Sequence, residues 1–471
     1  MVVQNKKTMR KIVYIAIGST LLTACKVGKN YERPTVGTPE QFYQETASDT
    51  TANNLAKLSY SEFFKNTELT SLIESALERN ADLQVAVKNI EQTRLLFTQS
   101  KMALLPQLTM NVAGSRTESS KNSQLAASGA GRVNDDFTAS LDLSWELDIW
   151  GKLRREKEAT LATMMQTEEV KRAIQNRLVA EVATSYINLL MLDEQLEIAI
   201  EGIALRESTY LLTKKMFEVG NETIVAMQQA EAQWLESKEL LPQIEQEISL
   251  QESGLNLLLN NYPQAISRSV TISDLNFSTD LNTGVPADFL STRPDVQVAE
   301  YALKAANAKV GAAQGQMYPN LIISAQGGLN AFESSQWFKT PASLFGMFGG
   351  GLIQPIFNQK KLRTAYEIAV VEREKAGIEF KNKVIVGFTD VHNALVKIDK
   401  LSQKEEMMQK RVNILNTSLA NIKFMFEMDK ASYLEVINAQ SLALQSSLSF
   451  AELKRDHLAS LVDLYRALGG H

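Results

Sequence analysis

The sequence is poor in the residues that build catalytic and metal sites. It contains one cysteine, Cys25, and three histidines, none with a histidine or cysteine partner at metal-ligand spacing. Zinc sites and Cys-His catalysis are therefore unsupported. The glycines of residues 346–351 precede no Gly-Lys-Ser/Thr, which excludes a phosphate-binding loop. Because no catalytic constellation is present, we expect neither an enzyme nor a cofactor, and no metal site.

Basic charge and long apolar runs are also lacking. The net charge is −5, the pI is near 5.6 and no basic stripe is evident, which argues against nucleic acid as a partner. Beyond the N-terminal region, no segment reaches ~18 continuous apolar residues, so no transmembrane helix is expected. If this chain crosses a membrane, it must do so with strands.

The N-terminus has the pattern of an export signal. Residues 6–11 carry four positive charges, and Ile12 to Thr23 is an apolar run too short to span a membrane permanently. The run ends in Leu-Thr-Ala-Cys, which resembles a bacterial lipoprotein signal. We therefore predict a signal peptide at 1–24 and an N-terminal periplasmic segment at 25–65 that is acylated on Cys25. The alternative is a plain secretory signal that contains a small buried cysteine.

The rest of the chain repeats itself. Asp-Leu-Gln-Val-Ala at 82–86 returns as Asp-Val-Gln-Val-Ala at 295–299, 213 positions later. Phe-Glu-Val at 217–219 returns as Phe-Glu-Met at 426–428, 209 positions later. An internal duplication changes the fold that a sequence predicts. We expect a first structural repeat at 66–290 and a second at 291–468, each with two strands and a helical hairpin.

Alternating residues predict the strands. From Phe137 to Asp148 every odd position is apolar and every even position is polar, which gives a strand one apolar face and one polar face. About 10 such residues match a tilted strand that crosses a bilayer. Asp142 and Glu146 lie on the polar face and are expected to line a channel lumen. Strands are predicted at about 107–115, 137–148, 320–330 and 345–357.

Two features favour a membrane over a soluble antiparallel sheet, which is the alternative. Aromatic residues crowd the strand ends as interfacial girdles do, and the connecting segments Ser115–Asp136 and Glu333–Ser343 are polar loops suited to a water-facing rim. Four strands cannot close a barrel, and open edges in lipid cost several kcal/mol per unsatisfied group. Membrane insertion would therefore require several chains to pool their strands.

Long helices account for the remaining length. Gly202 is the only glycine inside the proline-free run from 151 to 217, which predicts about 100 Å of helix. A heptad seam runs through it, as in helix-on-helix packing. A plain coiled-coil stalk is the alternative. Helices are predicted at 151–217, at 222–260 with an interruption at Pro242, at 360–426 and at 433–468.

Specific motifs along the mature chain resemble one family. They are Val-Gly-Lys-Asn-Tyr at 27–31, Leu-Asp-Ile-Trp-Gly-Lys-Leu-Arg at 147–154, Arg-Pro-Asp-Val at 293–296, Ala-Ala-Asn-Ala-Lys-Val-Gly-Ala-Ala at 305–313 and Leu-Tyr-Arg-Ala-Leu-Gly-Gly at 464–470. These motifs and their order along the chain resemble those of the outer-membrane factors, the TolC-type channels of tripartite efflux pumps. Within that family, the resemblance is to the lipoprotein (NodT-like) branch.

The resemblance implies a homotrimer in which each protomer gives four strands to one 12-stranded outer-membrane β-barrel that continues into a long α-helical periplasmic tube. The protein would be lipid-anchored in the outer membrane and extend into the periplasm. It would be a passive exit duct for small toxic compounds such as drugs, detergents or metal ions. A periplasmic adaptor protein and an inner-membrane efflux transporter would deliver them. The alternatives are a type I protein-secretion duct and a non-conducting structural lipoprotein.

The resemblance also implies functional positions at the periplasmic end. The family's acidic entrance ring falls on Glu435 and Asn438, although Glu435 could equally be a solvated helix charge. The positions of the family's ion-pair latch hold Ala226 and Ala431, so that latch is absent. The helical turns would dock the adaptor. The residues expected to do so are Gly220, Asn221, Asp429 and Lys430.

Overall fold

The computed structural model describes residues 27–37, 58–127, 132–277, 293–428 and 430–470. Cys25 and Asp429 lie outside these residues, so the predictions made for them are not tested by the fold. A short 3₁₀ turn spans Ile272–Asp274. The helices and strands are, in chain order, α1 (Tyr60–Phe64), α2 (Thr67–Arg79), α3 (Ala81–Met102), β1 (Gln107–Glu118), α4 (Gln124–Ala127), β2 (Val133–Leu147), α5 (Lys152–Glu218), α6 (Ile224–Leu258), α7 (Pro294–Gly315), β3 (Asn320–Ala331), β4 (Leu344–Ile353), α8 (Lys361–Glu427) and α9 (Tyr433–Ala467).

The duplication is visible in the element lengths. Helices α3 and α7 have 22 residues each, α5 and α8 have 67 each, and α6 and α9 have 35 each. Strands β1 and β3 begin 213 residues apart, at 107 and 320, whereas α5 and α8 begin 209 apart, at 152 and 361. The second copy is therefore shorter only between its first strand and its long helix.

The strands form one antiparallel sheet in the order β1-β2-β3-β4. In the register, Leu143 lies opposite Leu108 of β1 and Ala325 of β3, whereas Asp142 lies opposite Thr109 and Gln326. Opposite residues share a face of the sheet. The sheet consequently has an apolar face, which carries Leu143, and a polar face, which carries Asp142.

Three predicted strand limits were wrong. Strand β1 continues to Glu118 and β2 begins at Val133, so the predicted loop Ser115–Asp136 is shorter than expected. This charged extension is paired in the ladder, with Arg116 opposite Asp135 and 3.7 Å between their charged groups. Strand β4 ends at Ile353 instead of 357, since Pro355 has no N–H to donate to a ladder.

The predicted interruption at Pro242 was also wrong, because α6 is one helix with Pro242 inside it. An interior proline costs about 3 kcal/mol through its missing N–H and its ring clash. Ile244, two residues after Pro242, is buried in the hydrophobic core and helps to hold this segment helical. Tertiary packing thus overrides the local signal.

The chain divides into two compact units, each drawn from both sequence repeats. The first contains the described residues of 1–34 with 90–167 and 299–380, and it holds the sheet. The second contains the described residues of 35–89, 168–298 and 381–471. Its core includes the predicted α5 seam, in which Val182, Leu189 and Ala199 are fully buried. None of the described helices is apolar over a length sufficient to cross a membrane.

Candidate functional site

On the polar face of the sheet, the two predicted lumen carboxylates have different surroundings. Asp142 accepts a hydrogen bond of 3.0 Å from the Ser140 hydroxyl, which in turn accepts one of 3.2 Å from the Gln326 amide. Glu146 forms an ion pair with Lys152, with 2.5 Å between Oε1 and Nζ. Among the residues that the structure describes, Glu146 is therefore ion-paired, whereas Asp142 is hydrogen-bonded to a neutral hydroxyl.

The 147–154 motif is a strand-to-helix joint. The Asp148 carboxylate accepts the backbone N–H groups of Leu153 and Arg154 at 3.0 Å each, which satisfies free donors at the start of α5. Trp150 donates its indole N–H to the Pro319 carbonyl at 2.9 Å. Gly151 has φ +81°, a conformation that costs little only for glycine. The motif sets the direction in which the helix leaves the sheet.

The segment that follows the predicted lipidation site is docked in the first unit by a buried arginine. Arg155 is 1% exposed and donates to the carbonyls of Gly28, at 2.8 Å, and Val27, at 3.3 Å. A Cβ at Gly311 would lie 3.0 Å from the Arg155 side chain, so any larger residue there would require that side chain to shift. No local pattern in the sequence marks Arg155 as a docking residue. Its signals are indirect, because it directly follows the 147–154 motif and contacts Gly28 and Gly311 of the 27–31 and 305–313 motifs.

The first hairpin turn in the second unit ends α5 with a left-handed helix cap. Gly220 adopts φ +82°, and Asn221 N–H bonds to the Met216 carbonyl at 2.8 Å, which closes the end of α5. Lys430 N–H makes the equivalent bond to the Met425 carbonyl at 2.8 Å. Glycine adopts this left-handed conformation at little cost, which suits Gly220 to the cap. The adaptor-docking role of these turns stays a prediction.

Both hairpin ends meet in one apolar patch of the second unit, which we name the hairpin-end cluster. The latch position Ala226 is buried in it, and the latch position Ala431 packs against it. Apolar packing thus occupies the two positions at which the family's ion-pair latch would lie. The buried members are Ala226, Ala230, Phe426, Tyr433 and Val436.

Glu435 forms a capping box with Ser432 at the start of α9. Its carboxylate accepts the Ser432 backbone N–H at 2.7 Å and the Ser432 hydroxyl at 2.9 Å. The backbone bond, followed by the side-chain bond, lowers the pKa of Glu435. Its side chain and that of Asn438 are both exposed. The Ser-x-x-Glu spacing at 432–435 is the local signature of this capping box, which was not among the expectations drawn from the sequence.

Tyr433, a member of the hairpin-end cluster, and Arg206, which lies close to it, carry buried polar groups. Burial raises the pKa of Tyr433 to about 12, so the phenol is neutral. Burial lowers the pKa of Arg206, whose guanidinium donates to the Gln233 carbonyl at 3.2 Å and the Ser441 hydroxyl at 3.3 Å. These bonds tie α5 to α6 and α9 just above the turns.

The Arg-Pro-Asp motif at 293–295 is a second buried charge site. Arg293 bonds to Asp295 at 2.7 Å, to Asp390 at 3.0 Å and to the Ala467 carbonyl at 2.9 Å. Burial opposes ionisation of Asp295, but the hydrogen bonds and charge of Arg293 outweigh it and lower the Asp295 pKa. The motif therefore joins α7, α8 and the end of α9. Within the described residues, no group of three or more His, Cys, Asp or Glu side chains could hold a metal ion.

Comparison with known proteins identifies the family. Residues 72–261 and 285–470 each match the family described as Outer membrane efflux protein. The chain belongs to this family. The two matches begin 213 residues apart, at 72 and 285, and end 209 apart, at 261 and 470, so they reproduce both offsets of the internal duplication.

Similar proteins span the whole chain. The Cation efflux system protein CusC of Escherichia coli is 27% identical over 450 residues, 95% of this chain and 96% of its own length. The Probable outer membrane lipoprotein SilC of Salmonella typhimurium is 27% identical, covering 98% of this chain and 99% of its own. The open MtrE outer membrane channel of Neisseria gonorrhoeae superposes with a TM-score of 0.85 at 25% identity, covering 95% of this chain and 98% of that one.

These findings confirm the predicted family, fold class and localisation. The structural neighbours are trimeric channels that combine a β-barrel with a long α-helical tube, and this protomer has the four-stranded sheet and repeated helices expected of one third of such a channel. The family and its relatives are channel proteins of the outer membrane. The predicted role as the outer-membrane channel component of an efflux system is confirmed.

Proposed function

We propose that this efflux channel is a passive exit duct for small toxic compounds and has no enzymatic activity. The observation that carries the proposal is the sheet itself, which has one apolar face, one polar face and two open edges, β1 and β4. In lipid, each open edge costs several kcal/mol per unsatisfied backbone group. Three copies that join β1 to β4 satisfy every edge and enclose a polar lumen.

Conductance in a planar lipid bilayer tests this proposal. Purified protein in a planar bilayer should form heat-resistant trimers that conduct ions without an energy source. A water-soluble particle without conductance would support the structural-lipoprotein alternative. Export of a secreted protein that depends on this chain would support the type I secretion alternative.

The exposed tips of the two hairpins support docking of a periplasmic adaptor that links the channel to an inner-membrane transporter. Val219 is 72% exposed and its repeat equivalent Met428 is 54% exposed, so each turn presents an apolar side chain to a partner. These side chains flank the predicted docking residues Gly220, Asn221 and Lys430. Replacing Val219 and Met428 together with Asp should abolish efflux-dependent resistance. Trimer stability and conductance should not change, and their loss would instead assign the two residues to folding.

The substrate class follows from the charge of the duct. The Asp142 carboxylate on the polar face and the exposed Glu435 favour cations by focusing a negative field. The relative CusC is named as part of a cation efflux system, which supports metal ions as one cargo. Deleting the gene and measuring sensitivity to metal ions, antibiotics and detergents tests this. Sensitivity to neutral solvents alone would contradict a cationic cargo.

Anchoring through acylated Cys25 completes the proposal. The docked Val27, whose N–H bonds to the Trp150 carbonyl at 3.2 Å, supports an anchor near the base of the sheet. A Cys25→Ser variant should lose its lipid-sized mass increment in mass spectrometry. An unchanged mass would favour the plain secretory signal.

A further inference from the structure

The loop between β3 and β4, residues 332–343, carries more aromatic surface than a water-facing loop needs. Phe332 and Phe338 are each 68% exposed. The Trp337 ring lies 4.9 Å from that of Phe338. Large exposed aromatic side chains that cluster beside polar residues mark an interaction surface. The efflux function described above uses none of these three residues.

The loop packs on the apolar side of the sheet. The Trp337 ring lies 5.6 Å from the ring of Phe137. Phe137 is on the apolar face, opposite Gly114 and Ala331, and a Cβ at Gly114 would lie 3.3 Å from its ring. Ala331, on the same face, is only 9% exposed. The loop is therefore folded outward against the face that a membrane barrel turns toward lipid.

This contact lies where the apolar face ends. Two residues beyond Phe137 on the same face, Asp135 pairs with Arg116 at 3.7 Å. In the other direction, the ten steps to Leu147 span about 33 Å along the strand, or about 25 Å of membrane at a tilt of ~40°. That is the height of the apolar band of an outer-membrane barrel. Trp337 thus sits at one limit of this band, the position that tryptophan prefers.

The backbone of the loop suits a partly dehydrated site. The N–H groups of Gln336, Lys339 and Ser343 bond to loop carbonyls at 3.0, 3.0 and 3.1 Å. The Ser343 hydroxyl donates to the Gln336 carbonyl at 2.7 Å, and the Trp337 indole N–H donates to the Leu329 carbonyl at 3.4 Å. Internal satisfaction of these groups removes much of the cost of leaving water.

We propose that the β3–β4 loop rests on the membrane, with Trp337 and Phe338 at the boundary between lipid headgroups and acyl chains, and does not lie across the channel mouth. The partner is the lipid surface, because the aromatic pair continues the lipid-facing side of the sheet. The proposal rests on the proposed function only in requiring a closed, membrane-inserted barrel.

Fluorescence quenching tests this placement. The trimer is reconstituted in phosphatidylcholine vesicles with or without phosphatidylcholine brominated near the headgroup end of its acyl chains. The emission of Trp337 is the difference between the unaltered chain and Trp337→Phe. Brominated lipid should reduce this emission at least about twofold, and aqueous iodide should reduce it much less, as expected at an interface. Strong quenching by iodide with none by brominated lipid would overturn the proposal.

Matched variants separate lipid contact from loop folding. Phe137→Ala removes the ring under Trp337 and should increase iodide quenching severalfold, whereas Phe345→Ala, on the polar face opposite Gly328, should not. Equal effects would refute the outward packing. A Trp337→Ser, Phe338→Ser double variant should keep the single-channel conductance, and a severalfold rise would place the loop over the mouth. If the unaltered chain does not conduct at all, the proposed function fails and this proposal with it.

Discussion

The hairpin-end cluster should hold the two hairpins of a protomer together at their turns. Phe426 is 3% exposed and packs in a cluster with Ala226, Tyr433 and Val436. Replacing a buried phenylalanine with alanine costs about 3–5 kcal/mol, and a small cluster near a chain turn can partly collapse. We therefore expect about 3 kcal/mol of local destabilisation in Phe426→Ala, which corresponds to an opening equilibrium raised by about 10²-fold.

Hydrogen exchange of the intact trimer measures this directly, because backbone amides near a local opening exchange in proportion to its population. Amides of residues 226–230 in the first hairpin and of residues 422–427 and 433–437 in the second should exchange about 10²-fold faster in Phe426→Ala, while those of the β2–β3 pairing should not change. Phe424→Ala is the matched control, since Phe424 is on the same helix two residues earlier and is 60% exposed.

Equal exchange in the two variants would refute the reasoning, because it would show that burial of Phe426 does not hold the hairpins together. A faster exchange confined to α8 and α9 would show that the cluster stabilises the second hairpin without coupling it to the first. Single-channel recording adds a functional reading. Loosened hairpin ends should raise the conductance of Phe426→Ala above that of Phe424→Ala.

Three further predictions concern the helix ends and the buried charges. Arg293→Met leaves Asp295 and Asp390 without their cation and should destabilise the trimer by about 3–5 kcal/mol in thermal unfolding, and a smaller loss than in Asp390→Asn would contradict the central position of Arg293. Glu435→Gln should reduce cation preference measured from reversal potentials. Because the pKa of Glu435 is lowered, this preference should be complete above the usual carboxyl range and disappear only as pH falls through the lowered pKa, and preference that is unaffected by acid would exclude Glu435. Gly220→Ala forces a left-handed alanine and should cost about 1–2 kcal/mol, seen as faster exchange at the end of α5, whereas Gly254→Ala, at ordinary φ in α6, should not destabilise.

The regular elements could be predicted because their patterns are local. Strict alternation from Phe137 to Leu147 fixes both the strand and its faces, and the absence of proline from 152 to 218 permits one long helix. The strand ends could not be predicted in this way, since Arg116 and Asp135 extend the ladder through a pairing between segments distant in sequence. Pro242 shows the same limit, because the packing that keeps its helix intact is tertiary.

The functional surfaces also differ in whether neighbouring residues or distant ones determine them. The Gly220 cap and the Ser432–Glu435 capping box follow from residues within one turn, although the second was overlooked. The docking of Gly28 by Arg155 joins residues 127 positions apart, and no local pattern reports it. The apolar cluster that contains Ala226 likewise includes Phe426, Tyr433 and Val436 of the other hairpin. A sequence shows that the ionic latch is missing, but only the fold shows what fills its place.

The start of α6 differs from the start of α9 in one respect that affects assembly. Thr223 caps α6 alone, because the position equivalent to Glu435 is Ala226, whereas Ser432 and Glu435 cap α9 reciprocally. Around the mouth of a three-subunit tube, tips with a single threonine cap and tips with a capping box therefore alternate. A ring of six identical partner subunits would contact two chemically distinct kinds of binding site. Its members could therefore not all bind with the same affinity or the same dependence on salt.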